Sequence, residues 1–141
     1  MSKFKLRGFE EHVNVPVTVE LAEDKTVEFT VTFKRVDRKR LEQVVRDTQE
    51  LSVRARDLEQ KKILASDQKA RMEINKDIEK LGVEGQKFIM DGVVGWKEYY
   101  DADDKEVPFS RAILKQFMDH PAYYRAFDAA FWSATGERLK N

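Results

Sequence analysis

The chain has 141 residues, of which 41% are apolar and 37% charged, and its 26 basic and 26 acidic residues balance. That balance argues against a protein that coats nucleic acid or an anionic membrane through its overall charge. The absence of cysteine excludes disulfides, thiolate catalysis and cysteine-bound zinc. Without a signal-like apolar run near Met1 or an 18-residue apolar stretch, the sequence predicts a soluble, intracellular protein.

The aromatic residues are concentrated at the two ends of the chain. Residues 34–87 contain none, and carry 15 basic and 11 acidic residues instead. Because a core needs large apolar side chains, we expect one α+β domain over residues 1–141, with an antiparallel hairpin or small sheet packed on helices. The predicted regions are a β-hairpin over 1–36, a charged helical region over 37–82, an aromatic helical region over 83–136 and a frayed tail over 137–141.

The first region alternates apolar and polar residues over 13–21 and again over 27–33. A period of two places the apolar side chains on one face, and Val and Phe suit such a half-buried surface. The polar link between the two runs predicts a hairpin turn. Pro16 lacks an N–H group, which predicts that the first strand lies at an edge of the sheet.

The second region has the apolar spacing of helices. Asp37 is a candidate N-cap, and apolar positions from Leu41 to Leu58 recur every three or four residues as a short heptad seam. A second apolar stripe from Met72 to Leu81 has a different phase, and Gly82 and Gly85 are expected to end it. The change of phase favours two antiparallel helices joined by a bend at 65–67 over one projecting helix of residues 38–81.

The third region predicts three short helices. The first carries Ile89, Val93, Trp96 and Tyr100 on one face, and an acidic turn over 101–106 follows it. Ser110 caps the second helix, and His120-Pro121 separates it from the last helix, which Gly136 ends.

No arrangement of residues typical of an enzyme is present. The chain lacks a nucleophile elbow and a glycine-rich phosphate loop, and His12 and His120 are isolated, as solvated or helix-end side chains are. The acidic turn fails the calcium-loop pattern at Lys105, Glu106 and Ala112, so it is interpreted as a charged reverse turn. We therefore predict a protein that is not an enzyme and that uses no cofactor or metal.

The last helix has more aromatic surface than one face can hold. Tyr124 and Trp132 lie off its main apolar stripe, which indicates either burial on several sides or a partner. Aromatic residues are enriched at the centres of protein interfaces. The candidate partner-binding residues are Trp96, Tyr124, Phe127, Phe131 and Trp132.

One stretch of the third region contains a recognisable sequence motif. Residues 93–110, VVGWKEYYDADDKEVPFS, followed by a short Leu-containing helix, a proline break and an aromatic/alanine helix, resemble tail assembly chaperones of long-tailed bacteriophages. Those proteins often show the pattern V-x-x-W-x-x-V-x-D-x-x-G-x-x-V-P-F-S. The Val/Phe hairpin that ends in Phe33-Lys34-Arg35 also fits the family. The chain departs from it at Lys105, where glycine is common, and in its long charged region.

The resemblance implies a non-enzymatic assembly factor of a phage or prophage. Such a protein works in the host bacterial cytoplasm, binds the tape measure protein, helps to recruit tail tube subunits and is absent from the mature virion. The physical expectation agrees with this role, because aromatic helices could pack against a long helical client while the charged middle keeps the complex in solution.

Two other functions stay open from the sequence. A coiled-coil structural virion protein could form a homo-oligomer through the seam from Leu41 to Leu58. Less favoured is a nucleic-acid-binding regulator that uses the basic run 34–40, whose net charge is +4.

Overall fold

A computed structural model describes residues 11–135 of the chain. The predictions for Gly136 and for the tail over 137–141 concern residues outside the described part of the chain. The fold is α+β, as predicted. Its elements in chain order are β1 (His12–Glu20), β2 (Thr26–Lys34), α1 (Arg38–Leu64), α2 (Gln68–Gly92), β3 (Val93–Lys97), α3 (Arg111–Met118) and α4 (Pro121–Thr135).

The chain divides into two compact units, which we name the sheet unit and the hairpin unit. Among the described residues, the sheet unit comprises 11–36 and 89–135, and the hairpin unit is Asp37–Phe88. The predicted β-hairpin and aromatic regions therefore fold together, although the long charged region separates them in sequence.

The predicted hairpin is confirmed. β1 pairs antiparallel with β2 over nine residues, so that Val17 lies opposite Phe29 and Val15 opposite Val31. Pro16 stands in β1, which is an edge strand of the three-stranded sheet β1-β2-β3. The alternation in sequence becomes alternation in burial, because Val13, Val17, Val19, Phe29, Val31 and Phe33 are all buried.

The prediction of a helix through Ile89, Val93, Trp96 and Tyr100 was wrong. Ile89 belongs to the end of α2, and residues 93–97 form β3, which pairs antiparallel with β2. Val93 lies opposite Phe33 and Gly95 opposite Thr32, so Val94 is an extra residue at a β-bulge. The bulge places Val93 and Trp96 on the buried face at a spacing of three, which imitates a helix in the sequence.

Aromatic rings fill the sheet unit between the sheet and the last two helices. The ring centroid of Phe29 lies 4.9 Å from that of Tyr99 and 5.9 Å from that of Phe127. Phe117 stacks on Tyr123 at 4.4 Å. Ser110 caps α3 by accepting a hydrogen bond from the Ile113 N–H, as predicted.

The hairpin unit consists of α1 and most of α2. Asp37 caps α1 by accepting a hydrogen bond of 2.7 Å from the Arg40 N–H, and the predicted bend falls at residues 65–67 between the two helices. The expectation that Gly82 and Gly85 end the second helix was wrong, because α2 continues to Gly92. A glycine inside a helix costs only about 1 kcal/mol, and neighbouring helix formers offset that cost here.

Burial in the hairpin unit follows the predicted seam, but only partly. Leu41, Val44 and Leu81 are its only buried hydrophobic side chains. Other apolar positions of the two stripes are half-buried, namely Leu51, Ala55, Leu58, Ile74 and Ile78, whereas Met72 at the start of the second stripe is exposed. A layer of two helices leaves part of each apolar stripe in contact with water.

Candidate partner-binding surfaces

Three of the five candidate partner-binding residues lie in the core of the sheet unit. Trp96, Phe127 and Phe131 are all less than 9% exposed. The Trp96 indole N–H donates a hydrogen bond of 2.9 Å to the Val107 carbonyl, and the Phe131 ring lies 6.2 Å from that of Phe33. These side chains stabilise the fold, and as the described residues are arranged they do not form an accessible surface.

Tyr124 and Trp132 remain as a half-buried stripe beside the core. They stand at i and i+8 of α4 with Asp128 between them, so the three side chains follow one line along the helix. Desolvation by burial raises the pKa of Tyr124, and the nearby Asp128 carboxylate raises it further. Burial also raises the pKa of Asp128, while a hydrogen bond from the Trp132 side chain acts in the opposite direction.

A pair of tyrosines forms a polar contact within the aromatic core. The Tyr99 and Tyr123 hydroxyl oxygens lie 2.9 Å apart, at hydrogen-bond distance. Burial raises the pKa of Tyr123 far above its ordinary value, and the hydrogen bond and charge of Tyr99 add to the rise. Both rings sit within an aromatic cluster, so this pair is a polar contact inside a packed region and offers no free group.

The exposed apolar surface lies mainly on the hairpin unit. Of the seven large hydrophobic side chains that are exposed among residues 11–135, only Tyr100 belongs to the sheet unit. Ile63 and Leu64 are 76% and 83% exposed. Sequence reasoning missed Ile63 and Leu64, although their positions outside both apolar stripes could have identified them. The six of the hairpin unit are Val45, Val53, Ile63, Leu64, Met72 and Val83.

A groove of about 330 Å³ runs between α1 and α2. Leu58 and Leu81 give it an apolar floor, and charged residues of both helices line it. Arg54 of α1 lies 3.8 Å from Glu84 of α2. The remaining lining residues are Asp57 and Lys61 of α1 and Asp77 and Lys80 of α2, so the groove carries as many positive as negative charges. Such a groove accepts an apolar ridge without selecting a charge sign.

The acidic turn and His120 have structural roles. The Asp101 carboxylate accepts hydrogen bonds from the backbone N–H groups of Asp103 and Lys105 at 2.8 and 3.0 Å, which makes the acidic segment a reverse turn. His120 precedes α4, and its Nδ1 accepts a hydrogen bond from the Ala122 N–H. Within residues 11–135 no group of three or more His, Asp or Glu side chains could hold a metal ion.

The basic run 34–40 is exposed except at Val36. Asp37 within it is used as the cap of α1, and no aromatic stacking platform accompanies its cations. The described helices include none that is long and apolar enough to cross a membrane.

Comparisons with models of protein families, with curated proteins and with solved structures give no match. The functional argument therefore rests on the residues, on their arrangement and on the resemblance carried by residues 93–134.

Proposed function

We propose that the protein is a tail assembly chaperone of a long-tailed phage or prophage, which binds the tape measure protein and helps to recruit tail tube subunits. The observation that carries the proposal is the exposed aliphatic surface of the hairpin unit. The sequence motifs of residues 93–134, which resemble those of that family, support it. The proposal places the activity in the host cytoplasm and the protein outside the mature virion.

The physical reason for the proposal lies in the properties of the tape measure protein, which is the client of such a chaperone. A tape measure protein is expected to be long and helical, with apolar stripes that aggregate until tube subunits cover them. The groove between α1 and α2 is a binding site for a third helix. An apolar ridge of that helix would contact Leu58 and Leu81. The charged side chains along the groove keep the rest of the surface hydrated, so the contact can be exchanged for tube subunits later.

This proposal moves the client surface from the aromatic helices to the hairpin unit. Trp96, Phe127 and Phe131 are occupied in the core, whereas Val53, Leu64 and Val83 are exposed. Tyr124 and Trp132 stay as a second, smaller candidate contact, because they are only half-buried.

Co-expression with the tape measure protein of the same operon tests the proposal. We expect the tagged protein to keep the tape measure protein soluble and to co-purify with it. A variant with Val53→Ser, Leu58→Ser and Val83→Ser should lose most of the co-purified client, because it replaces one apolar side chain of the groove and two exposed aliphatic side chains, while the buried Leu41, Val44 and Leu81 are unchanged. The matched control Tyr124→Ser with Trp132→Ser should retain more client than the hairpin variant.

Two results would contradict the proposal. One is the absence of any co-purified tape measure protein together with no gain in its solubility. The other is the detection of stoichiometric amounts of this protein in purified virions by mass spectrometry, which favours the structural virion protein instead.

A further inference from the structure

The end of the hairpin unit combines exposed aliphatic and positive side chains. This tip, defined as residues 61–72, contains four basic residues and one acidic residue, a net charge of +3. Ile63, Leu64 and Met72 are all more than half exposed. The Asp67 carboxylate is engaged at the start of α2, where it accepts a hydrogen bond of 3.1 Å from the Lys69 N–H. The tip therefore combines a positive net charge with exposed apolar side chains.

The acidic turn of the sheet unit has the opposite character. Residues 100–106 contain four acidic residues and one basic residue, a net charge of −3, and Tyr100 is half exposed beside them. The turn has a defined conformation, because Tyr100 and Glu106 form an isolated antiparallel β-bridge. In addition, the Asp101 N–H donates a hydrogen bond of 2.9 Å to the Lys105 carbonyl. Glu106 also accepts a hydrogen bond from the Glu98 N–H. The acidic side chains of the turn are thus attached to a backbone held by hydrogen bonds.

We propose that the tip of one copy docks on the acidic turn of a second copy. The two surfaces carry equal and opposite net charge, and each exposes apolar side chains that the other would cover, Ile63 and Leu64 on one side and Tyr100 on the other. The contact joins two unlike surfaces, so it can close reciprocally in a two-fold dimer or repeat into a ring or a filament. Exposed charge pairs are individually weak, which makes the association weak and sensitive to salt.

A contact between unlike surfaces has a consequence that a contact between two like surfaces lacks. A variant without a working tip keeps its turn, and a variant without a working turn keeps its tip. Each variant alone cannot self-associate, but an equal mixture forms one contact per pair and stops at a dimer. The tip shares Lys61 with the groove, but the variants that disable the tip or the turn leave Val53, Leu58 and Val83 unchanged. Co-purification of the tape measure protein with those variants therefore distinguishes a failure of this contact from a failure of the proposed client binding.

Sedimentation velocity of the full chain, at low and high salt and over a wide range of concentration, tests the proposal. Leu64→Ser with Lys69→Glu disables the tip, and Asp103→Lys with Asp104→Asn disables the turn; all four side chains are exposed. Lys76→Glu and Glu28→Lys change charge at other exposed positions and serve as controls. Circular dichroism verifies that every variant is folded.

We expect the wild-type chain and the two controls to associate more strongly as concentration rises and salt falls, with each disabled variant at least about tenfold weaker. The equal mixture of the two disabled variants should give a dimer and nothing larger. A wild-type chain that stays monomeric at low salt would overturn the proposal. Disabled variants that remain monomeric when mixed would overturn the pairing of the tip with the turn.

Discussion

The sheet unit and the hairpin unit treat apolar surface in opposite ways. In the sheet unit, rings from the strands and from α3 and α4 interlock, and Phe33, Leu114 and Phe127 are fully buried. In the hairpin unit, Leu81 is the one buried apolar residue of its second helix, and Ile63 and Leu64 are mostly exposed. The difference follows from the number of layers, because a sheet covered by helices encloses a core and two helices do not.

The comparison separates residues that hold the fold from residues available to a partner. The aromatic residues, which dominate the sequence pattern, belong to the first group. The exposed apolar surface is aliphatic and lies within the most highly charged part of the chain. Each of the following predictions tests one side of this contrast.

The largest expected effect is the loss of a ring from the core of the sheet unit. Phe127→Ala removes a fully buried ring that packs against Phe29 and Phe117, and we expect it to lower the free energy of unfolding by about 3–5 kcal/mol. Urea denaturation followed by tryptophan fluorescence measures the change. Val53→Ala, at an exposed position of the hairpin unit, should change it by less than about 0.5 kcal/mol. Equal losses would contradict the contrast between the units.

Within the hairpin unit, Leu81 carries the strongest packing of α2. We expect Leu81→Ala to cost about 2–3 kcal/mol and to act locally, because the two-helix seam has few other buried contacts. Amide hydrogen exchange should accelerate along α1 and α2 between residues 45 and 85, with the sheet strands almost unchanged. Met72→Ala is the control in the same helix, and its exchange should match the wild type. Acceleration spread evenly over both units would contradict a local effect.

The local signals of the sequence predicted much of this fold, because each has a local cause. The β1–β2 hairpin follows from strict alternation, Asp37 and Ser110 cap their helices through their own side chains, and the phase change at 65–67 marks the bend. Strand β3 could not be recognised, because its bulge depends on pairing with Thr32 and Phe33, about sixty residues earlier in the chain. The sequence pattern there fits a helix as well as a bulged strand.

The candidate surface was harder to predict than the fold. Aromatic residues were expected to serve both the core and a partner, and only the packing around Trp96, Phe127 and Phe131 shows that the core takes these three. The sequence does not reveal which half of an apolar seam stays exposed, because that depends on whether a third layer of structure covers it. The groove between α1 and α2 is likewise a consequence of how two separate helices meet.

Two glycines of α2 give a matched pair with opposite expected signs. A Cβ at Gly92 would lie 3.0 Å from Cε1 of Phe131, whereas a Cβ at Gly82 would meet nothing within 4 Å. We expect Gly92→Ala to destabilise by about 1–2 kcal/mol through overpacking. Gly82→Ala should stabilise by about 0.5–1 kcal/mol, since alanine restricts the unfolded chain and favours helix. Thermal denaturation of both variants measures this difference, and the same sign for both would contradict it.

The smallest expected effect concerns the half-buried stripe on α4. Burial raises the pKa of Asp128, so the folded chain binds this proton more tightly than the unfolded chain does. Stability therefore falls as pH rises from the ordinary carboxyl pKa through the raised value, and the loss persists at neutral pH. Asp128→Asn keeps an acceptor for the Trp132 side chain but carries no charge. We expect it to be slightly more stable than wild type at pH 7, with the gap closing as pH falls below the ordinary carboxyl pKa. Urea denaturation of both proteins across this range measures the gap, and a gap that does not depend on pH would show that solvent reaches Asp128 as freely in the folded chain as in the unfolded one.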